Sequence, residues 1–424
     1  MEKKLEVFSQ EIITKDFVKK LKIIKEVFWG IFGQVFSACF TLLGIRVITE
    51  FSSAEHYGQY VLFSTFGLLI VNVFSGSIFQ SFLRLMPEKG KTKALKLSSF
   101  IVNILFKLIL FSLLLFMFFN NLVLLHIFLI FLFILSEHYI GLFQTLLNIE
   151  KKQKQYALFQ LTFSSLKPSL AILFYVFFNQ DFISIIFGYS IGNIVSSILF
   201  FPKDFVRQIS ISLNEKFIVN EFGEFFNFSK PLIVQKICGW SLRNLDKYLI
   251  AILLGTSTTG KYAPIVGLSS MVFLMVSRTV EILLRPYYFQ YVSEKNNSNS
   301  RKILSYYALC LFVFSFILTL FLSIYSQEIV NILFGSQFRE FHYLLPILSF
   351  SYSFLIFGYL FCNVCLAHKK SWNVFYIEFF ATLANLITMP IFLINFGIIG
   401  STYSLMISYI IFFISGLIFA RKLI

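Results

Sequence analysis

Charge is scarce in this chain: Asp, Glu, Lys and Arg together make up 13% of its 424 residues, against 57% apolar. A soluble protein of this length needs a far larger charged surface, which excludes a soluble globular fold. In a bilayer the lipid-facing side must be apolar too, and that accounts for the excess, including 58 phenylalanines. Apolar runs of roughly 20 residues, long enough to span, recur throughout and leave no segment for a soluble domain. Other absences narrow the chemistry. There is no nucleotide-binding motif, so neither direct ATP use nor a cofactor is expected. The five cysteines (Cys39, Cys238, Cys310, Cys362, Cys365) all lie in apolar runs. Cys362 and Cys365 form a C-x-x-C pair, but no second pair or histidine stands at zinc-ligand spacing, so they read as small packing residues and no metal site is expected. A secretory signal is missing too: the first 25 residues are charged throughout. There Leu5, Phe8, Ile12, Phe17, Leu21 and Ile24 recur at helical spacing between lysines, which predicts an amphipathic surface helix over 1–26.

The apolar runs predict an all-α integral membrane fold of about twelve spans: 27–49, 57–80, 97–119, 122–149, 156–178, 181–202, 231–254, 261–284, 303–326, 342–366, 371–395 and 397–420. Turn chemistry marks breaks at Asn120-Asn121, Asn179-Gln180-Asp181, Gly255 to Gly260 and Asn395-Phe396-Gly397. Of the 36 Lys and Arg, 27 fall at the termini or in loops after even-numbered spans, two (Lys261, Arg339) in the other loops, and seven inside spans. The positive-inside rule then puts both termini in the cytoplasm. The net charge of +15 is thus mostly topology, and no nucleic-acid partner is implied. The longest hydrophilic segments, 84–96, 203–230 and 285–302, are cytoplasmic, whereas the outer loops are short.

The chain divides near residue 210 into two sets of six spans, giving lobes over 27–202 and 231–424 with a cytoplasmic linker at 203–230. The first outer loop reads HYGQY (56–60) and runs into the second span, and at an offset of 202 the loop between the seventh and eighth spans reads TGKY (259–262) and runs into the eighth. Arg84 with Pro87 closes the second span; Arg285-Pro286 closes the eighth. Six spans per half give both halves one orientation, a parallel repeat of the kind transporters use.

Ionisable groups cost about 2.5–3.5 kcal/mol each at the bilayer centre by insertion scales, and so face a bundle interior or water. The basic ones are Arg46, Lys107, Lys167, Lys236, Arg243, Lys247 and Arg278; the acidic ones are Glu137, Asp246, Glu281 and Glu378. Lys236, Arg243 and Lys247 share one face of the seventh span, and Arg278, Glu281 and Arg285 one face of the eighth. With Arg46 they form a candidate cationic wall, to which Lys107 and Lys167, nearest the middle of their spans, add, for an anionic substrate such as a diphosphate. The alternative is structural: Arg46, Lys236 and Arg285 snorkelling to the interfaces, Arg278 pairing with Glu281, and Asp246 neutralising Arg243. Glu137, beside His138, and Glu378 are the first candidates for ion coupling, with Asp246 and Glu281 as further ones, and each could equally pair with a cation.

RVITEFSSAEHYGQYVLFSTFG (46–67), FSKPLIVQKICGWSLRNLDKYLIAILLGTSTTGKYAPIVGL (228–268) and ANLITMPIFLINFGIIGSTYSLMISY (384–409) resemble the Wzx-like polysaccharide flippases of the multidrug/oligosaccharidyl-lipid/polysaccharide exporter (MOP) superfamily. The features carrying the likeness are Asp246-Lys247, Leu254-Gly255, Gly260-Lys261-Tyr262, Asn385, Pro390 and Gly397-x-x-Gly400. The resemblance implies two MATE-like six-helix lobes around a central cationic cavity. It implies a substrate too: an undecaprenyl-diphosphate-linked oligosaccharide, its tail in the bilayer near a gap between the first and eighth spans. It places the protein in the bacterial cytoplasmic (inner) membrane, among membrane lipids, with a polysaccharide polymerase as a partner and O-antigen or capsule as the product. Lys247 stands where many members have Arg, and twelve spans argue against a peptidoglycan precursor. Rival readings are a drug or cation antiporter, which would prefer an acidic cavity, and a membrane polymerase or glycosyltransferase, which would want a large outer loop. A transporter rather than an enzyme is expected.

Overall fold

The computed structural model describes residues 28–80, scattered helical positions between 104 and 115, and residues 122–150, 152–178, 180–200 and 218–423, with side chains of the segment after 217 described from residue 233. The amphipathic segment 1–26, most of the third span with Lys107, and most of the linker lie outside the described residues.

The first lobe contains α1 (Phe28–Phe51), α2 (Ala54–Gln80), α3 (Leu122–Ile149), α4 (Gln153–Phe177) and α5 (Phe182–Leu199). The second contains α6 (Ile218–Leu254), α7 (Thr256–Ser293), α8 (Asn297–Ile324), a short α9 (Ser326–Leu333), α10 (Leu344–Ala367), α11 (Ser371–Phe396) and α12 (Ile398–Arg421). Ten of the described helices are long and apolar enough to cross a membrane. The expected seventh span lies in α6, which keeps Lys236, Arg243, Asp246 and Lys247 between residues 236 and 247.

Local chemistry sets the ends. Ser53 starts α2 by accepting a bond from the His56 amide at 3.2 Å, and Asp181 starts α5 by accepting one from the Ser184 amide at 3.0 Å. Gly255, at φ +94°, is all that separates α6 from α7. Two stretches read from sequence as loops are therefore helical: HYGQY lies in α2 and TGKY in α7. Their glycines serve helix contact rather than a turn. The connection after the ninth span is likewise folded, into α9 and a 3-10 turn over Ser336–Phe338.

Within α2 one π turn, Asn72–Gly76, interrupts the α pattern. Its Ser75 meets the fully buried His138 of α3, with Oγ 2.8 Å from Nδ1. α6 and α7 run 37 and 38 residues, about 55 Å each at the helical rise, so both project well beyond a hydrocarbon core of about 30 Å. The largest apolar core lies in the second lobe and reaches across to Ile48, Tyr57 and Val61 of the first.

Candidate functional site

The lobes meet along α2, α6 and α7. At the end that the Lys and Arg distribution marks as outer, Gly58 of α2 and Gly260 of α7 lie back to back. A methyl group at Gly58 would overlap the carbonyl oxygen of Thr256; one at Gly260 would overlap that of Ala54. Both pairs, Gly58 with Gly260 and Ala54 with Thr256, stand 202 residues apart. The contact is thus two-fold symmetric, and the repeat axis passes through it.

Further contacts close this end. Gly335 donates its amide to Thr49 Oγ1 at 3.0 Å, and Ala54 donates its amide to Gln337 at 3.4 Å. Phe338, fully buried, sets its ring against Tyr57 edge-on at 5.5 Å. The segment between α9 and α10 thus straps the second lobe to the first. Deeper in, Trp240 of α6 donates to the Thr65 carbonyl at 2.9 Å, and Tyr248 donates to the Leu62 carbonyl at 2.8 Å. These residues, eight apart on α6, share a face.

Towards the other end the lobes part. A crevice of about 220 Å³ lies between α1 and α4 on one side and α7 on the other. Gln34, Ser37 and Thr41 line it from α1, Gln160 from α4, and Met271, Leu274, Met275 and Arg278 from α7. Arg278 is its sole charged lining group and has no ion-pair partner among the described residues. It lies about 33 Å along α7 from the outer end. The side-chain carbonyl oxygen of Gln160 is buried without a partner.

The other ionisable residues sort by lobe. Near the outer end, Arg46 pairs with Glu50 at 2.6 Å on an exposed face, a contact of little energetic weight. In the first lobe Lys167 Nζ lies 2.7 Å from Glu137, over the Tyr189 ring at 5.1 Å. Asn193 donates to the same Glu137 oxygen at 2.8 Å. Glu137 therefore already holds a cation, one tethered to its own lobe.

In the second lobe Asp246, completely buried, accepts from Tyr262 at 2.9 Å and from Lys247 at 3.3 Å. Lys247 also donates to the Arg243 carbonyl at 2.9 Å. Arg243, about 16 Å from the outer end of α6, donates to Tyr359 at 2.9 Å. Its guanidinium and the Glu378 carboxylate both crowd the space over Gly239, and Gln235 donates to Glu378 at 3.4 Å. Lys236 makes no ion pair among the described residues and is half-buried.

The structure thus divides the expected wall. Arg46, Lys167 and Lys247 are each matched by a carboxylate, whereas Lys236, Arg243 and Arg278 make no ion pair among the described residues, Glu378 lying with the Arg243 guanidinium over Gly239. Two pairings of the alternative, structural reading are replaced. Glu281 pairs with Arg285 at 2.5 Å rather than with Arg278, and Asp246 takes Lys247 and Tyr262 rather than Arg243. The crevice residues Gln34, Ser37, Thr41 and Gln160 were not singled out in the sequence. The first three form a polar stripe at i, i+3 and i+7 on an otherwise apolar helix, which is the signal that marks them. Among the described residues no cluster of His, Cys, Asp and Glu could hold a metal ion.

Comparison with known proteins addresses the fold and the family. Among curated proteins none matches. Lipid II flippase MurJ in an inward closed conformation superposes with a TM-score of 0.64 at 19% identity, covering 92% of this chain and 86% of that one. An inward-facing multidrug resistance MATE family transporter of the MOP superfamily gives 0.69 at 12% identity, covering 92% and 94%. A MOP superfamily transporter from Pyrococcus furiosus, described as having a binding pocket of reverse polarity, gives 0.62 at 12% identity, covering 94% of each chain. These likenesses establish the two-lobed MOP fold. The family model described as "Polysaccharide biosynthesis protein" matches residues 47–342, most of the chain. The protein is a multi-pass membrane protein with the fold of the MOP-superfamily transporters, and it belongs to the polysaccharide biosynthesis protein family.

Proposed function

We propose that the protein is a flippase that carries an undecaprenyl-diphosphate-linked oligosaccharide from the cytoplasmic to the outer leaflet by alternating access, for a cell-surface polysaccharide such as O-antigen or capsule. The observation that carries this reading is the crevice: one arginine, Arg278, between α1 and α7, about 33 Å along α7 from the outer seam, lined otherwise by neutral polar side chains, two methionines, an alanine and a leucine. A lipid diphosphate in the inner leaflet presents its charge at that level. A guanidinium recognises it bidentately, and the adaptable thioethers of Met271 and Met275 suit a flexible chain.

The diphosphate-sugar head cannot enter hydrocarbon unaided, because desolvating an unpaired ion costs far more than thermal energy. Arg243 and Lys236, which make no ion pair among the described residues, offer the next positive field towards mid-depth. The sealed outer seam keeps the path closed on that side until the lobes rock. The termini face the cytoplasm of a bacterial inner membrane in this scheme. The lobe boundaries near 202 and 231 mark the moving bodies, and a polysaccharide polymerase receives the product. The membrane potential assists, at about 2.3 kcal/mol per charge per 100 mV, since an anion moving outward runs downhill. Glu137, already bonded to Lys167 and Asn193, is not a coupling site in this scheme; Glu378 is the remaining candidate. A crevice with no lining carboxylate favours an anion over the cationic substrates of a drug antiporter.

The deciding experiment follows lipid-linked sugar in a strain lacking the protein. Accumulation of the undecaprenyl-diphosphate oligosaccharide on the cytoplasmic face, with loss of surface polymer, is the expected result. Normal surface sugar with heightened sensitivity to cationic drugs would replace the proposal with the antiporter.

A further inference from the structure

A second basic cavity lies within the second lobe, away from the crevice between the lobes. It measures about 370 Å³ and opens where α7, α8, α10 and the end of α12 come together. Three basic side chains from three different elements line it: Lys295 after α7, Arg301 of α8 and His368 after α10. Its floor includes Val292, Leu304 and Leu423, which belong to one apolar cluster with Tyr288. Tyr288 also lines it; this residue is 3% exposed, and its hydroxyl has no hydrogen-bond partner among the described residues.

Lys295 and His368 likewise have no side-chain partner among the described residues. The nearest carboxylate in sequence, Glu294, accepts from Gln290 at 2.8 Å. α7 and α10 end in the same kind of turn. In each a lysine takes a left-handed position, Lys295 at φ +56° and Lys369 at φ +59°, and the next amide reaches back five residues, Asn296 to Tyr291 and Lys370 to Cys365, both at 2.9 Å.

Topology alone requires basic residues on this face but does not require them around one cavity. A group that satisfies the site carries a negative charge with several acceptor oxygens, accepts from the Tyr288 hydroxyl, and continues into an apolar part. A phosphate ester on a glycerol backbone has this chemistry, and the volume suits a headgroup. We propose that this cavity binds the phosphate-bearing headgroup of an anionic phospholipid of the inner leaflet, with Lys295 and His368 beside the phosphate and Tyr288 donating to it. The site is separate from the substrate route and does not depend on it. A lipid seated there ties the ends of α7, α8 and α10 together, and α7 is the helix that carries both Gly260 and Arg278.

The test uses the purified full-length chain in nanodiscs or detergent. Native mass spectrometry counts retained phosphatidylglycerol and, as control, phosphatidylcholine, with and without inorganic phosphate as competitor. Lys295→Asn removes charge at a position whose left-handed backbone asparagine tolerates, so the fold is preserved. Together with His368→Gln it is expected to lower phosphatidylglycerol retention at least fivefold, and Tyr288→Phe lowers it by a smaller factor. Phosphatidylcholine retention stays unchanged. Equal phosphatidylglycerol retention in the double variant, or equal retention of the two lipids by the native chain, would overturn the site. Displacement of the lipid by millimolar inorganic phosphate would overturn the lipid assignment in favour of a soluble phosphate compound.

Discussion

Adding a single methyl at the outer seam should open it. In Gly260→Ala the new carbon overlaps the Ala54 carbonyl oxygen and lies 3.0 Å from the Gly58 nitrogen; in Gly58→Ala it overlaps the Thr256 carbonyl and lies 3.0 Å from the Gly260 nitrogen. The neighbours in each case are backbone atoms, so no side chain can swing aside. A carbon needs roughly 3.3 Å from a carbonyl oxygen, and α2 and α7 must separate by about 1 Å or more to allow it. Overpacking of this kind costs about 1–3 kcal/mol, charged only to the state in which the seam is shut. The closed-to-open ratio then falls about 5- to 150-fold. Val61, buried one turn below Gly58, serves as the reporter position through Val61→Cys in a chain cleared of its native cysteines. A membrane-impermeant maleimide added outside should label this introduced thiol slowly in the parent and at least fivefold faster in either alanine variant. The symmetry makes a sharper demand. The two single variants should match each other in direction and size, and the double should exceed neither by the full second effect, because the seam opens only once. Labelling unchanged in well-folded single variants, or two effects that add in full, would refute the back-to-back contact.

Other outcomes follow from the site. Arg278→Gln should lower flipping at least tenfold with the protein level unchanged, whereas Arg278→Lys keeps a point charge and retains part of it; transport of fluorescent lipid-linked sugar in vesicles measures both. Glu137→Gln strands the Lys167 charge inside the first lobe and should destabilise it by about 3–5 kcal/mol, seen as a lower melting temperature in detergent. A Glu137→Gln, Lys167→Met double variant should recover most of that loss, and a double variant as unstable as the single would show that the pair is not the cause. Phe338→Ala empties a buried place at the strap and should speed outside labelling of the same introduced thiol without slowing substrate binding at the crevice, which a filter-binding assay can separate.

Much of the architecture was legible in the sequence because its causes are local. Apolar run length gave the spans, and the HYGQY and TGKY match located the contact between the repeats. The helical state of those two segments was not legible. Glycine is the ordinary mark of a turn, and only the opposing helix makes Gly58 and Gly260 a packing pair. The intramembrane charges were visible as residues but not as pairs. Glu281 has Arg278 at i−3 and Arg285 at i+4 on one face, and the arrangement with Glu preceding its partner by four is the better helical pair. No such rule finds Tyr262 for Asp246, Tyr359 for Arg243 or Asn193 for Glu137, since each arrives from another helix. The strap at 335–338 depends on contacts across nearly 300 positions of chain, as the bond from Gly335 to Thr49 illustrates.

The π turn in α2 sets this helix apart from α7, its counterpart across the outer seam. From Gly58 to Arg84 the chain counts 26 steps; from Gly260 to Arg285 it counts 25. Asn72–Gly76 lies within the first of these stretches, and α7 has no such turn. A helix that accepts a single insertion without breaking does so by widening one turn to the i→i+5 pattern. That turn rotates everything after it, so the upper part of α2 faces the opposite lobe while Ser75 turns inward to His138. The two helices thus agree in phase at the outer seam and differ below it, which leaves each half free to build a different interior under a shared gate.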